Sequence, residues 1–115
     1  MWLGEGGGAY NSGKPGYTNT FISGFWWLDQ MAQMAGNGHR KYCRQTLLGG
    51  NYELLNKTTL MPNPDYYTSY LWNRFVGTKI LEVKREDKYS DLRTYAACGK
   101  VQGDMIFIFI NLSDD

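Results

Sequence analysis

Trp2-Leu3-Gly4-Glu5-Gly6-Gly7-Gly8-Ala9-Tyr10-Asn11-Ser12-Gly13 sets a carboxylate between a short apolar run and a glycine loop. Residues 2–5 read as the end of a buried strand, and residues 6–17 carry Gly, Asn, Ser and Pro at a density that only a loop tolerates. Glu5 therefore stands at a strand tip, facing a loop whose backbone can approach a ligand closely. Downstream, Phe21, Phe25, Leu28, Met31, Ala32 and Ala35 recur at steps of three and four. That spacing predicts a helix from Thr20, with Thr18 or Asn19 to cap it and Gly36 and Gly38 to end it. Residues 42–48 read as a second strand running into a second glycine loop, Gly49-Gly50-Asn51, with Tyr52 just beyond the tip.

Asn63-Pro64-Asp65 supplies a cap, a proline for the first turn and an acid favoured by the helix dipole. It predicts a second helix to Gly77, with Tyr67, Tyr70, Leu71, Arg74 and Phe75 sharing one face. Beyond Gly77 the texture changes. Residues 79–84, 92–98 and 105–112 are separated by turn-rich stretches at 86–91 and 99–104, the pattern of an antiparallel meander. The fold class is α/β: two βα units over residues 1–77, then a partial sheet over 78–115. An eight-unit (β/α)₈ barrel takes ~250 residues, so two units make about a quarter of one. Residues 105–110 are apolar on both faces and need covering on both. The chain is thus expected to be a junction piece of a larger two-domain protein.

The 43% hydrophobic content permits a packed core, and most of the abundant aromatic residues are assigned to it, although such residues also line carbohydrate sites. A net charge of +1 with no basic block gives no reason to expect a nucleic acid or an anionic membrane as partner. No apolar run approaches the roughly 20 residues of a membrane helix, and the first residues carry no recognisable signal peptide. Asn56-Lys57-Thr58 and Asn111-Leu112-Ser113 are glycosylation candidates if the parent is secreted. Cys43 and Cys98 lack metal-ligand spacing and read as buried free thiols.

Gly8-Ala9-Tyr10-Asn11-Ser12-Gly13-Lys14 fits GxxxxGK, yet Pro15-Gly16 replaces the Ser or Thr that would hold magnesium, so a phosphate loop is the weakest reading. His39, the only histidine, falls in a turn and reads as a surface side chain; neither a zinc site nor a Ser-His-Asp site can be assembled around it. No cofactor or metal is expected. Carboxylate chemistry remains. A retaining glycosidase uses one carboxylate to attack the sugar and a second, ~5 Å away, as acid and base. Glu5 and the Gly49–Tyr52 loop follow consecutive strands, where barrel sites form. The alternative for Glu5 is a solvated loop charge.

The runs Trp2-Leu3-Gly4-Glu5, Gly7-Gly8-Ala9-Tyr10-Asn11-Ser12-Gly13, Phe25-Trp26-Trp27-Leu28-Asp29-Gln30, Tyr42-Cys43-Arg44-Gln45-Thr46-Leu47 and Gly49-Gly50-Asn51-Tyr52 resemble glycoside hydrolase family 79, the heparanase and β-glucuronidase family. Pro62-Asn63-Pro64-Asp65-Tyr66-Tyr67 and Val76-Gly77-Thr78-Lys79 extend the likeness, and the wording is nearest to the family's plant heparanase-like branch. The resemblance implies the last two βα units of a TIM barrel followed by the first strands of a β-sandwich. It implies Glu5 as nucleophile, the backbone amides of Asn11 and Ser12 with the Tyr52 hydroxyl as holders of a uronate carboxylate, and Gly50 as the point where backbone approaches the sugar. Animal members carry glycines at the positions of Asn11 and Ser12. Arg44 is either a helper of Glu5 or a structural barrel residue, as is Gln45.

The family's acid/base glutamate has no match in this chain and would lie upstream of Met1; Cys98 resembles a sandwich cysteine whose partner lies beyond the chain. The expected function is therefore a piece of a secreted or membrane-associated retaining glycosidase acting on uronate-containing glycans, inactive alone. A non-catalytic truncated product that binds glycan or protein is the alternative.

Overall fold

The computed structural model describes residues 1–84 and 91–114, which form two compact units, Met1–Tyr70 and Leu71–Asp115. Most of the stretch 86–91, expected to be a turn, lies outside the described residues.

β1 (Trp2–Gly6), α1 (Phe21–Gly36) and β2 (Lys41–Arg44) follow in order in the first unit, and α2 (Pro64–Phe75) starts in it and ends in the second. β1 and β2 pair in parallel, with Leu3 beside Tyr42 and Gly6 beside Arg44 and an irregularity between those two positions. Parallel strands need a crossover, and α1 supplies it. β1 is not buried as its apolar run suggests: Trp2 is 70% exposed, with the Lys41 ammonium 4.9 Å from its ring centre. On β2 the alternation is plain. Tyr42 and Arg44 turn inward while Lys41 and Cys43 face out, so Cys43 is exposed rather than buried. β2 also stops at Arg44, four residues short of the expected strand.

α1 begins and ends where expected, but it buries a different stripe. Phe21 is exposed, and Ser23, Gly24, Trp27, Met31 and Ala32 form the inner side. The cause is what that side meets. Trp27 packs edge-on against Tyr42, with centroids 5.1 Å apart, and its indole N–H donates to Ser69 Oγ at 2.6 Å. Gly24 leaves room for Pro64. At the other end, Gly38 takes the left-handed conformation (φ +82°), its amide donates to the Ala35 carbonyl, and the His39 amide donates to that of Met34. This is a Schellman cap. It half-buries His39, whose Nδ1 is enclosed with no partner among the described residues, so the expected surface histidine is corrected.

α2 starts at the predicted proline and ends at Phe75, with β3 beginning at the next residue, so no turn separates them. The face expected to be shared by Tyr67, Tyr70, Leu71 and Phe75 is exposed, and Asp65 is the buried residue of the helix.

The second unit contains β3 (Val76–Leu81), β4 (Leu92–Gly99) and β5 (Met105–Asn111), paired antiparallel in that order as the meander predicts. Gly77 lies inside β3, where a β-carbon would sit 2.6 Å from the Gly99 carbonyl oxygen, so the position has no room for a side chain. Cys98 stands opposite Met105, Ala96 opposite Phe107 and Thr94 opposite Phe109, giving one shared face. Met105, Phe107 and Phe109 are exposed on it, whereas Ile110 on the other face is buried. Cys98 itself is half-buried.

Candidate functional site

β1 delivers Glu5 to the rim of a cleft of about 590 Å³, which Tyr10, Asn11, Ser12, Gln45 and Tyr52 line together with Gly6, Gly7 and Ala9. Four of the five residues expected at the site thus share one cavity. The Glu5 side chain is exposed, with no hydrogen bond or ion pair to the described residues. Gly50 is not on the cleft wall; it lies behind it.

Gly50 belongs instead to the seat of Tyr52. The Tyr52 ring is 6% exposed, and β-carbons added to Gly7, Gly13 and Gly50 would stand 2.9, 2.9 and 3.2 Å from its carbons. Three glycines from two loops therefore let the ring approach bare backbone. The two loops are tied together beside it. The Asn51 amide donates to the Ser12 carbonyl at 2.6 Å, and the buried Thr18 hydroxyl donates to the Asn51 carbonyl at 2.5 Å while accepting from the Lys14 amide at 2.8 Å. Thr18, expected as a helix cap, is a latch between loops.

Asn11, Ser12 and Gly13 are consecutive left-handed residues, with φ of +54°, +68° and +88°. Asn tolerates that region and Ser does so less readily, so the loop holds a conformation in which glycine is at ease. Successive amides in such a turn form a concavity that binds anions. Neither the Asn11 nor the Ser12 amide donates to a backbone carbonyl among the described residues.

Below the cleft lies a buried ion pair that sequence reasoning missed. Arg44 bonds Asp65 directly, and the two side chains are 6% and 0% exposed. Arg44 also donates to the carbonyls of Gln45 at 2.8 Å and Tyr52 at 2.9 Å, with a longer contact to that of Gly6 at 3.5 Å. Its guanidinium lies 5.0 Å from the ring centre of Trp27 and 5.3 Å from that of Trp26. Ser23 Oγ donates to the same carboxylate at 3.1 Å. Asp65, read as a helix-dipole acid, is thus a counter-ion. Glu53 is likewise buried, its carboxylate accepting the Gly49 and Lys57 amides at 2.6 and 2.9 Å. The signal for Arg44 was the inward alternation it shares with Tyr42; Asp65 and Glu53 offered none.

The family profile described as "Glycosyl hydrolase family 79, N-terminal domain" matches residues 1–32. Across 113 residues, 98% of the chain, it is 49% identical to heparanase-like protein 1 of Arabidopsis thaliana. The chain is similar to glycosyl hydrolase family 79 proteins along nearly its whole length. It is also similar to the baicalin-beta-D-glucuronidase of Scutellaria baicalensis, 44% identical over 96% of the chain, and to the hyaluronoglucuronidase of Hirudo nipponia, 34% identical over the whole of the chain. The chain spans about a fifth of the length of the first two and about a quarter of the third.

The remaining candidate residues fall away from the cleft. Lys14 is exposed and reaches over the Tyr17 ring, 4.3 Å from its centre, and α1 starts seven residues later, unlike a phosphate loop. No group of three His, Cys, Asp or Glu side chains suited to a metal exists among the described residues. No described helix is long and apolar enough to cross a membrane. Asn56 Oδ1 accepts the amides of Thr58 and Thr59 at 3.0 Å, and Asn111 Oδ1 accepts that of Ser113 at 3.0 Å, so each candidate glycosylation asparagine holds a short turn.

Proposed function

We propose that the chain is the end of a (β/α)₈ glycosidase barrel, residues 1–77, leading into the first strands of a β-sandwich, residues 78–115. The whole protein would be a retaining β-glucuronidase or heparanase-like enzyme hydrolysing glycosyl bonds in uronate-containing glycans. The observation that carries this is the cleft: it collects one unpaired carboxylate, two free backbone amides in a left-handed turn and a seated tyrosine. In this reading Glu5 attacks the anomeric carbon, and the Asn11 and Ser12 amides with the Tyr52 hydroxyl hold the uronate carboxylate. Dipoles suit that task because they attract an anion without placing a cation beside Glu5. The parallel β1–β2 pair joined by α1 supports the barrel assignment.

No second carboxylate lines the cleft among the described residues, since Asp65 and Glu53 are buried and bonded elsewhere. The described residues therefore offer no proton-transfer partner in the cleft, a loss of roughly 10² to 10⁴ in rate, and in this reading the chain alone is inactive. An extracellular or membrane-associated destination through the secretory route, with glycans on Asn56 and Asn111, completes the reading. Two assays test it. Glucuronate, but not glucose, should shift the Asn11 and Ser12 amide resonances; unmoved amides would sink the uronate assignment. Release of an aryl group from its β-glucuronide should not exceed that of Glu5→Gln, and steady turnover would refute the inactivity of the chain.

A further inference from the structure

Arg44 contacts three residues that line the cleft, Gly6, Gln45 and Tyr52, without lining it itself. Its guanidinium donates to the carbonyls of Gln45 and Tyr52, both lining residues, and bonds Asp65 at the start of α2. The Tyr52 ring lies 5.9 Å from the same group. A planar fork can satisfy several acceptors at once, which a lysine ammonium on a flexible stem cannot match. The Asp65 carboxylate offsets the charge of the buried guanidinium, and charge-assisted bonds to carbonyls are the stronger kind. Nothing else among the described hydrogen bonds fixes the Tyr52 carbonyl.

We propose that Arg44 is a positioning residue for the uronate subsite, holding the Tyr52 and Gln45 backbone at the cleft wall through a guanidinium that Asp65 neutralises. The inference rests on the proposed reading of the cleft as a uronate site, and it resolves the choice between a helper of Glu5 and a general structural residue. Arg44 acts through Tyr52. It is not a second catalytic group.

The test uses the full 115-residue chain and Arg44→Lys. Glucuronate affinity should fall about tenfold, the scale of one lost charge-assisted hydrogen bond. NMR contacts from the Tyr52 ring to the Gly7 and Gly13 α-protons should weaken while α1 resonances stay in place. Combining Arg44→Lys with Tyr52→Phe should cost less than the product of the two single effects. A lowered melting temperature with unchanged affinity, full-strength ring contacts and multiplicative effects would overturn the proposal. If the unsubstituted chain binds no glucuronate, the uronate reading fails, and the ring contacts alone decide for or against Arg44. If Arg44→Lys does not fold, Asp65→Asn takes its place: weakened contacts support the role, and undiminished ones overturn it.

Discussion

Gly13 and Thr18 approach so closely that a β-carbon on Gly13 would lie 2.6 Å from Thr18 Oγ1, and Gly13 also sits at φ +88°. Gly13→Ala must therefore break the latch or strain the backbone. The loop then loses its hold on Asn51, and glucuronate affinity should fall further than for Asn11→Ala or Ser12→Ala, whose amides remain. Parallel titrations of the three chains check this ordering.

Breaking the buried ion pair should be the most damaging single change. Asp65→Ala leaves the Arg44 charge enclosed without its partner, at a cost of about 3–5 kcal/mol. Small domains hold only about 5–15 kcal/mol in total, so the denaturation midpoint should drop sharply. Urea melts followed by tryptophan fluorescence measure it.

Glu5→Gln should leave stability unchanged within about 0.5 kcal/mol, because the exposed carboxylate has no partner among the described residues. Glucuronate affinity should hold or improve once a negative charge is removed beside an anionic ligand. A marked fall in affinity would mean that Glu5 helps bind the substrate.

Tyr42 gives a pH signature. Burial raises its pKa above the ordinary tyrosine value of 10.0, and its hydroxyl is enclosed with no partner among the described residues. A raised folded-state value means the neutral form is favoured by folding, so this stability is fully present below pH 10 and is lost as pH rises through the folded pKa. Tyr42→Phe should flatten that alkaline loss and cost little at neutral pH, since it removes an unsatisfied hydroxyl. Thermal melts at pH 8 and pH 11 compare the two chains.

Much of the architecture could be read from local chemistry. Pro64 and the Gly36–Gly38 segment located helix ends because proline and left-handed glycine act within one turn. The inner face of α1 could not be read, because it is set by Tyr42, Ser69 and Pro64 pressing on Trp27 and Gly24, contacts far away in sequence. The same division holds at the cleft. Glu5 and the Gly49–Tyr52 loop were marked by their place at strand ends, and Asn11, Ser12 and the role of Tyr52 by the family resemblance, whereas the service of Thr18, Arg44, Asp65 and Glu53 depends on partners up to 42 residues away. Gly50 was marked as a point of close backbone approach, and the structure sets it against the Tyr52 ring.

In the proposed reading the anion is held by two main-chain amides and one hydroxyl, so Tyr52 is the recognising side chain that a mutation could remove. Codon changes at Asn11 or Ser12 that preserve the left-handed turn should pass unnoticed, and a genetic screen for lost recognition should instead return Tyr52 together with Gly7, Gly13 and Thr18. Heredity would see the scaffold of this site more sharply than its amide contacts.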